Sequence, residues 1–322
     1  MRRREFITVF GAAAAWPLAA LAQQAPRMRR MGVLLYSQEE KPAISPMLRG
    51  LEALGYTDGK NITIDYRDAT GKAERLPLAA DELVRLNPDV IFARGGEVAP
   101  VAKEATSTIP IVVVVSNDPV ATGLVASLRR PGGNVTGVTY VHDVLAGKSV
   151  ELLKDTVPSV SRAAILWNPD HADPEFRESQ RAAKELGVRL QSLEVSKPGD
   201  YEDAFQAAER EQAEALIVIG GRFQFLNRHR IGDFVEKNRL IMVGSSVFLM
   251  EVGALLTYGP NEPELFRQSA TYVDKILKGA KPGDLPMQQP VTFELNISLK
   301  VARSLGITVP PTVIARADQV IE

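Results

Sequence analysis

The sequence predicts an α/β protein of two doubly wound lobes, each built on a parallel sheet and joined to the other by a three-segment hinge. Three observations carry this. The run Ile111 to Val115 holds five consecutive β-branched residues without alternation, so both faces of that strand must be covered, as in a parallel sheet flanked by helices. Strand-like and helix-like stretches alternate through the first 140 residues, and the same order then restarts. Finally, 322 residues exceed what one core usually serves, so two domains are expected.

Taken in order, Met31 to Tyr36 reads as an apolar strand that ends at Ser37. Pro46 to Leu54 places Met47, Leu48, Leu51 and Leu54 at helical spacing and stops at Gly55. Ile62 to Tyr66 alternates as a strand, Leu76 to Leu86 is an amphipathic helix, and Val90 to Ala93 is a short buried strand before Arg94-Gly95-Gly96-Glu97. After the β-branched strand, Ser116, Asn117 and Asp118 precede Pro119, which is expected to open a helix around Gly123 to Leu128. Val135 to Thr139 closes the first half.

The second half repeats the order. Val150 to Val157 is helical, Ala163 to Trp167 is a strand ending at Asn168, and Phe176 to Leu186 is a helix closed by Gly187. Leu190 to Val195, Ala215 to Ile219, Leu240 to Val243 and Ala254 to Tyr258 read as strands, with helices from Tyr201 to Gln212 and onward to Asn238. A long helix, Pro263 to Leu277, leads through a proline-bearing connection to a strand at Val291 to Leu295 and a helix at Leu299 to Leu305. Crossings near Thr139, Gly259 and Gln289 give a first lobe of 31–139 plus 260–289 and a second of 140–259 plus 290–322, a wiring that permits closure by bending a few backbone angles.

Composition excludes several functions. With 38 basic and 39 acidic residues the net charge is -1, so nucleic acid is not an expected partner. The absence of cysteine excludes disulfides, thiolate metal sites and a catalytic thiol. The three histidines, His142, His171 and His229, lack ligand spacing, and no metal or cofactor is expected. Residues 1–22 begin with Arg2-Arg3-Arg4, continue with an apolar run and end Ala20-Leu21-Ala22, the pattern of a cleaved export signal; Arg3-Arg4-Glu5-Phe6-Ile7 also fits the twin-arginine motif.

No catalytic set is visible. Ala146-Gly147-Lys148-Ser149 lacks the earlier glycine of a phosphate loop, and Gly95-Gly96 and Gly220-Gly221 lack the third glycine of a dinucleotide fingerprint. Gly244-Ser245-Ser246-Val247-Phe248 is not a nucleophile elbow, and acid pairs such as Glu39-Glu40 read as solvated. What remains is a set of groups at strand ends, where open α/β sheets bind ligands. The candidates are Tyr36, Ser37, Arg94, Gly95, Gly96 and Glu97, then Ser116, Asn117, Asp118 and Tyr140. In the second half they are Asn168, Arg222, Phe223, Ser245, Phe248 and Tyr258. Asn117, Asp118 and Asn168 are equally natural caps, and Phe223, Phe225 and Phe248 could be core.

From end to end the chain resembles the substrate-binding proteins of bacterial ABC importers of the tryptophan/tyrosine type. The likeness is carried by Arg3-Arg4-Glu5-Phe6, Leu54-Gly55-Tyr56, Thr108-Ile109-Pro110-Ile111-Val112, Asp118-Pro119-Val120, Arg130-Pro131-Gly132-Gly133-Asn134-Val135-Thr136-Gly137 and Ala315-Arg316-Ala317-Asp318. The resemblance implies a monomeric periplasmic binding protein of structural type I. Such a protein closes on a small organic ligand and presents it to a permease with its cytoplasmic ATPase, without catalysis and with the mature form not membrane-embedded. An extracytoplasmic sensor is the alternative, and a hydrolase or isomerase ranks low. Relatives commonly carry small, hydroxyl or acidic residues where this chain has Arg94 and Arg222. Two arginines facing each other across a cleft would fork a ligand carboxylate, with aromatic walls for a flat body.

Overall fold

The computed structural model describes residues 28–140, 147–170 and 175–322. The export-signal reading of 1–22, and His142 and His171, lie outside the described residues.

The first sheet comprises β1 (Arg29–Leu35), β2 (Ile62–Asp68), β3 (Val90–Arg94), β4 (Ile111–Val115) and β5 (Val135–Thr139), in the order β2-β1-β3-β4-β5 with every pairing parallel. The period-2 geometry of a strand divides the β-branched run of β4 between two cores. Ile111, Val113 and Val115 pack with Leu34, Ile91 and Ala93 on one face, while Val112 and Val114 pack with Val33 and Phe92 on the other. Each such side chain contributes roughly 1.5–3 kcal/mol by leaving water, which is why the run tolerates no polar residue.

The helices α1 (Ser45–Ala53), α2 (Leu76–Arg85) and α3 (Val98–Ala105) connect these strands. No helix follows β4. Asp118 accepts from the N–H groups of Val120 (2.8 Å) and Ala121 (3.1 Å), and residues 119–128 run as turns. The strand already ends at Val115, ahead of Pro119, and Asp118 with Gly123 (φ +69°) turns the chain before the helix expected there can form.

The second lobe begins with α4 (Lys148–Thr156), β6 (Arg162–Trp167), α5 (Glu175–Glu185), β7 (Arg189–Glu194), α6 (Asp200–Arg210) and β8 (Ala215–Val218). The stretch expected as one helix up to Asn238 is two, α7 (Arg222–Leu226) and α8 (Arg228–Asn238), broken at Asn227. They are followed by β9 (Ile241–Gly244) and β10 (Leu256–Pro260).

After β10 the chain returns to the first lobe as α9 (Glu262–Leu277), which packs along α1 and buries Leu265, Phe266, Ala270 and Val273 in the core under β3 and β4. It crosses again into β11 (Phe293–Ser298), α10 (Leu299–Leu305), α11 (Pro311–Ile314) and β12 (Gln319–Ile321). The second sheet has the order β12-β11-β10-β9-β8-β6-β7. It is not wholly parallel: β11 runs antiparallel to β10, and β12 follows β11. The antiparallel step arises because β11 re-enters from the other lobe at the end where β10 leaves. Val291 is 91% exposed and outside the strand, and the last two elements were not anticipated from the sequence. Among the described residues no helix is long and apolar enough to cross a membrane.

Candidate ligand cleft

The carboxyl ends of β1, β3, β4 and β5 face those of β8, β9 and β10 across a gap between the lobes. A cavity of about 870 Å³, mouth included, is lined there by Arg94, Glu97, Val114, Ser116 and Tyr140 from the first lobe. Glu175, Gly220, Arg222, Phe225, Ser245, Ser246 and Phe248 line it from the second, with Pro260 and Glu262 on the crossing segment.

Arg222 opens α7 and spans the gap. Its Nε donates to Glu40 Oε1 at 3.0 Å, its Nη1 pairs with Glu97, its Nη2 donates to the Arg94 carbonyl at 3.0 Å, and its Cζ lies 4.7 Å from the Tyr36 ring centroid. Gly95 makes this approach possible. It has φ +100°, and a Cβ there would sit 1.8 Å from Arg222 Nη2. Burial works against the charge of Arg222, but the flanking Glu97 and Glu40 outweigh it and hold the guanidinium pKa above its usual value.

Glu40 is fully buried, which overturns the reading of Glu39-Glu40 as a solvated pair. Its Oε2 accepts the Tyr36 backbone N–H at 2.9 Å and its Oε1 is shared by Arg222 and Arg94. The two arginines are therefore not held open for a ligand carboxylate: this buried carboxylate already bridges them. Arg94 lies between the Phe225 and Phe266 rings, at 5.6 and 5.7 Å, and keeps a buried Nε–H with no partner among the described residues.

Glu262, the first residue of α9, lies beside the Ser246 hydroxyl in the cavity wall; burial of its carboxyl raises its pKa, and Arg94 and Ser246 lower it by smaller amounts. Ser245 Oγ donates to Glu175 at 3.5 Å and accepts from the Gly220 N–H at 3.2 Å. Among the described residues the buried Tyr140 hydroxyl has no partner, and its pKa is raised well above 10.0, chiefly by burial. Phe225 and Phe248 meet edge to face at 5.5 Å and 85°, forming an apolar wall. Four carboxylates, Glu40, Glu97, Glu175 and Glu262, stand against two guanidiniums, a formal excess of two negative charges. The cleft thus offers an anionic pocket for a cation, two unsatisfied donors for an acceptor, and a flat apolar wall.

Of the sequence candidates, Arg94, Gly95, Glu97, Ser116, Tyr140, Arg222, Ser245 and Phe248 line this cavity. Tyr36 contributes its ring to Arg222 without lining it. The others do not meet there. Ser37 accepts the Glu39 N–H at 3.3 Å as a cap, and Asp118 caps the turn after β4. Asn117 donates to the Gly96 carbonyl at 3.5 Å, so both residues are held in the wall behind the cavity. Asn168 accepts the Asp170 N–H at 3.0 Å and borders a smaller neighbouring pocket. The Phe223 carbonyl accepts the Tyr201 hydroxyl at 3.0 Å, and Tyr258 stacks on Phe293 at 6.1 Å. Sequence reasoning missed Glu40, Glu175, Ser246 and Glu262. A lone acidic residue inside or at the start of a helix carries no signal of burial; only the three-dimensional crossing of α9 brings Glu262 to the cleft.

A family model described as "ABC transporter substrate binding protein" matches residues 33–321. The chain is 26% identical over 262 residues to a tyrosine-binding protein of Clostridioides difficile strain R20291, covering 81% of this chain and 75% of that protein. A structure described as an ABC domain in complex with L-Trp, from Streptococcus pneumoniae, superposes with a TM-score of 0.82 at 24% identity, covering 91% of this chain and 99% of that one. A ligand-free, open substrate-binding protein from Clostridium difficile superposes with a TM-score of 0.65 at 23% identity, covering 91% and 99%.

Proposed function

The chain belongs to the ABC transporter substrate-binding protein family, and from that premise we propose that it captures a zwitterionic amino acid with a flat apolar side chain and delivers it to a membrane permease. The observation that carries the ligand class is the pairing of opposite functions in one cavity. Glu262 and Glu175 suit an ammonium, the Arg94 Nε–H and Tyr140 hydroxyl suit a carboxylate, and Phe225 with Phe248 suits a planar side chain. The name of the tyrosine-binding relative supports the same class. A plain carboxylate fits less well, because the cleft already carries excess negative charge and Glu40 occupies both arginines.

Isothermal titration of the purified protein against amino acids and their N-acetyl and amide analogues tests this. The expected result is micromolar binding, about 8 kcal/mol, of an aromatic or large apolar amino acid. Masking either the ammonium or the carboxylate should weaken it at least tenfold. Equal affinity for the corresponding deaminated acid would overturn the ligand class.

The same reading places the protein outside the cytoplasmic membrane, exported by the leader at 1–22 and cleaved after Ala22. Recovery from the periplasm of a chain beginning at Gln23 is the expected result, and retention of the full chain in the cytoplasm would contradict it.

A further inference from the structure

We propose that the first lobe carries a preformed guanidinium cage, made by Tyr36, Glu40, the Arg94 carbonyl and Glu97, and that Arg222 of the second lobe fills it as a tethered ligand, holding the lobes shut with no cargo between them. The cage has the chemistry of a cation receptor. It offers two carboxylates, one backbone acceptor and an aromatic face, and each of the three guanidinium nitrogens meets a different partner.

Three features argue that the cage exists independently of its occupant. Glu40 is held by the Tyr36 backbone N–H and by Arg94, both from its own lobe, so it keeps partners when Arg222 leaves. Glu97 immediately precedes α3 and stays 41% exposed, so it rehydrates easily. Gly95 leaves a gap that no other residue would leave, because any Cβ would occupy the place of Nη2. Arg222, by contrast, has a side chain only 4% exposed and reaches three separate elements of the opposite lobe. Its four partners, Tyr36, Glu40, the Arg94 carbonyl and Glu97, all belong to the opposite lobe, so these contacts favour closure in themselves. The proposal shares with the function above only the premise that the lobes move.

The test uses the ligand-stripped mature protein with one spin label on each lobe, read as an interlobe distance distribution. Wild type is expected to populate the short distance. Arg222→Ala is expected to lose that population. So is Gly95→Ala, which leaves every charge in place and puts a methyl where Nη2 sits; the backbone strain it adds at φ +100° is read separately from its melting curve. Methylguanidinium, against sodium chloride at matched ionic strength, should bind Arg222→Ala saturably and not wild type, raising the variant's melting temperature without restoring the short distance. The proposal is overturned if both variants keep the short distance, or if methylguanidinium binds neither protein or both equally. Should one variant fail to melt cooperatively, the other decides. Since no amino acid is added, failure here is separable from failure of the ligand assignment.

Discussion

The Nε–H of Arg222 donates to Oε1 of Glu40 over 3.0 Å, joining residues 182 positions apart across the cleft, and both side chains are almost wholly buried. Glu40 is thereby the shared counter-ion of two arginines, and the predictions begin from it.

Glu40→Gln should destabilise the protein strongly. Removing one partner of a buried ion pair leaves uncompensated charge, at a cost of about 3–5 kcal/mol, and here two guanidiniums lose their carboxylate together. Urea denaturation followed by circular dichroism measures it. A loss under about 1 kcal/mol, the range of exposed pairs, would show that Glu40 is not the anchor described.

Glu262 should make both stability and binding depend on pH, in opposite senses. Its carboxyl pKa is raised in the folded chain above the ordinary glutamate value of 4.5, so the folded state holds the proton more tightly than the unfolded one. Stability from this group is full below about pH 4.5 and declines as pH rises through the folded pKa. Glu262→Gln should therefore flatten the decline and melt higher than wild type at pH 7. An amino acid's ammonium needs the ionised form, so wild-type affinity should fall on acidification through the same window, and the variant should bind weakly throughout. Melting curves and titrations at several pH values give both readings; a variant melting lower than wild type at pH 7 contradicts the assignment.

Gly220→Ala should impair binding more than folding. A Cβ at Gly220 would stand 2.1 Å from Ser246 Oγ, the hydroxyl beside Glu262 in the cavity wall. Displacing Ser246 disturbs the pocket's acidic end while the apolar cores on either side of the second sheet stay intact. The expected outcome is at least a tenfold loss of affinity, about 1.4 kcal/mol, with a melting temperature within a few degrees of wild type. Phe248→Ala should give a comparable loss for aromatic ligands and a smaller one for aliphatic ligands.

The architecture was largely legible because its signals are local and repeated. Ile111 to Val115 can only be a strand covered on both sides, and Gly55, Gly187 and Gly306 mark helix ends by the conformations they alone adopt cheaply. What failed were places where tertiary contacts or side-chain caps compete with periodicity. Asp118 turned a promising helix start into a turn, and β11 reversed direction because of where the chain re-enters the lobe. The cleft was half legible. Strand-end residues such as Arg94, Ser116 and Ser245 follow from the rule that open sheets bind at their carboxyl edge. The charge balance did not follow, because the burial of Glu40 and the half-buried position of Glu262 depend on packing between segments far apart in sequence.

Asn261, whose side chain accepts the Glu264 N–H at 2.8 Å, also donates from Nδ2 to Glu294 Oε1 at 2.6 Å. It sits where the chain leaves β10, and Glu294 sits where the chain comes back in β11. Two of the three connecting threads are thus stitched side by side, so a displacement of one is passed to the other. Glu262 adjoins that stitch, so the acidic end of the cleft and the paired threads are one continuous piece of chain.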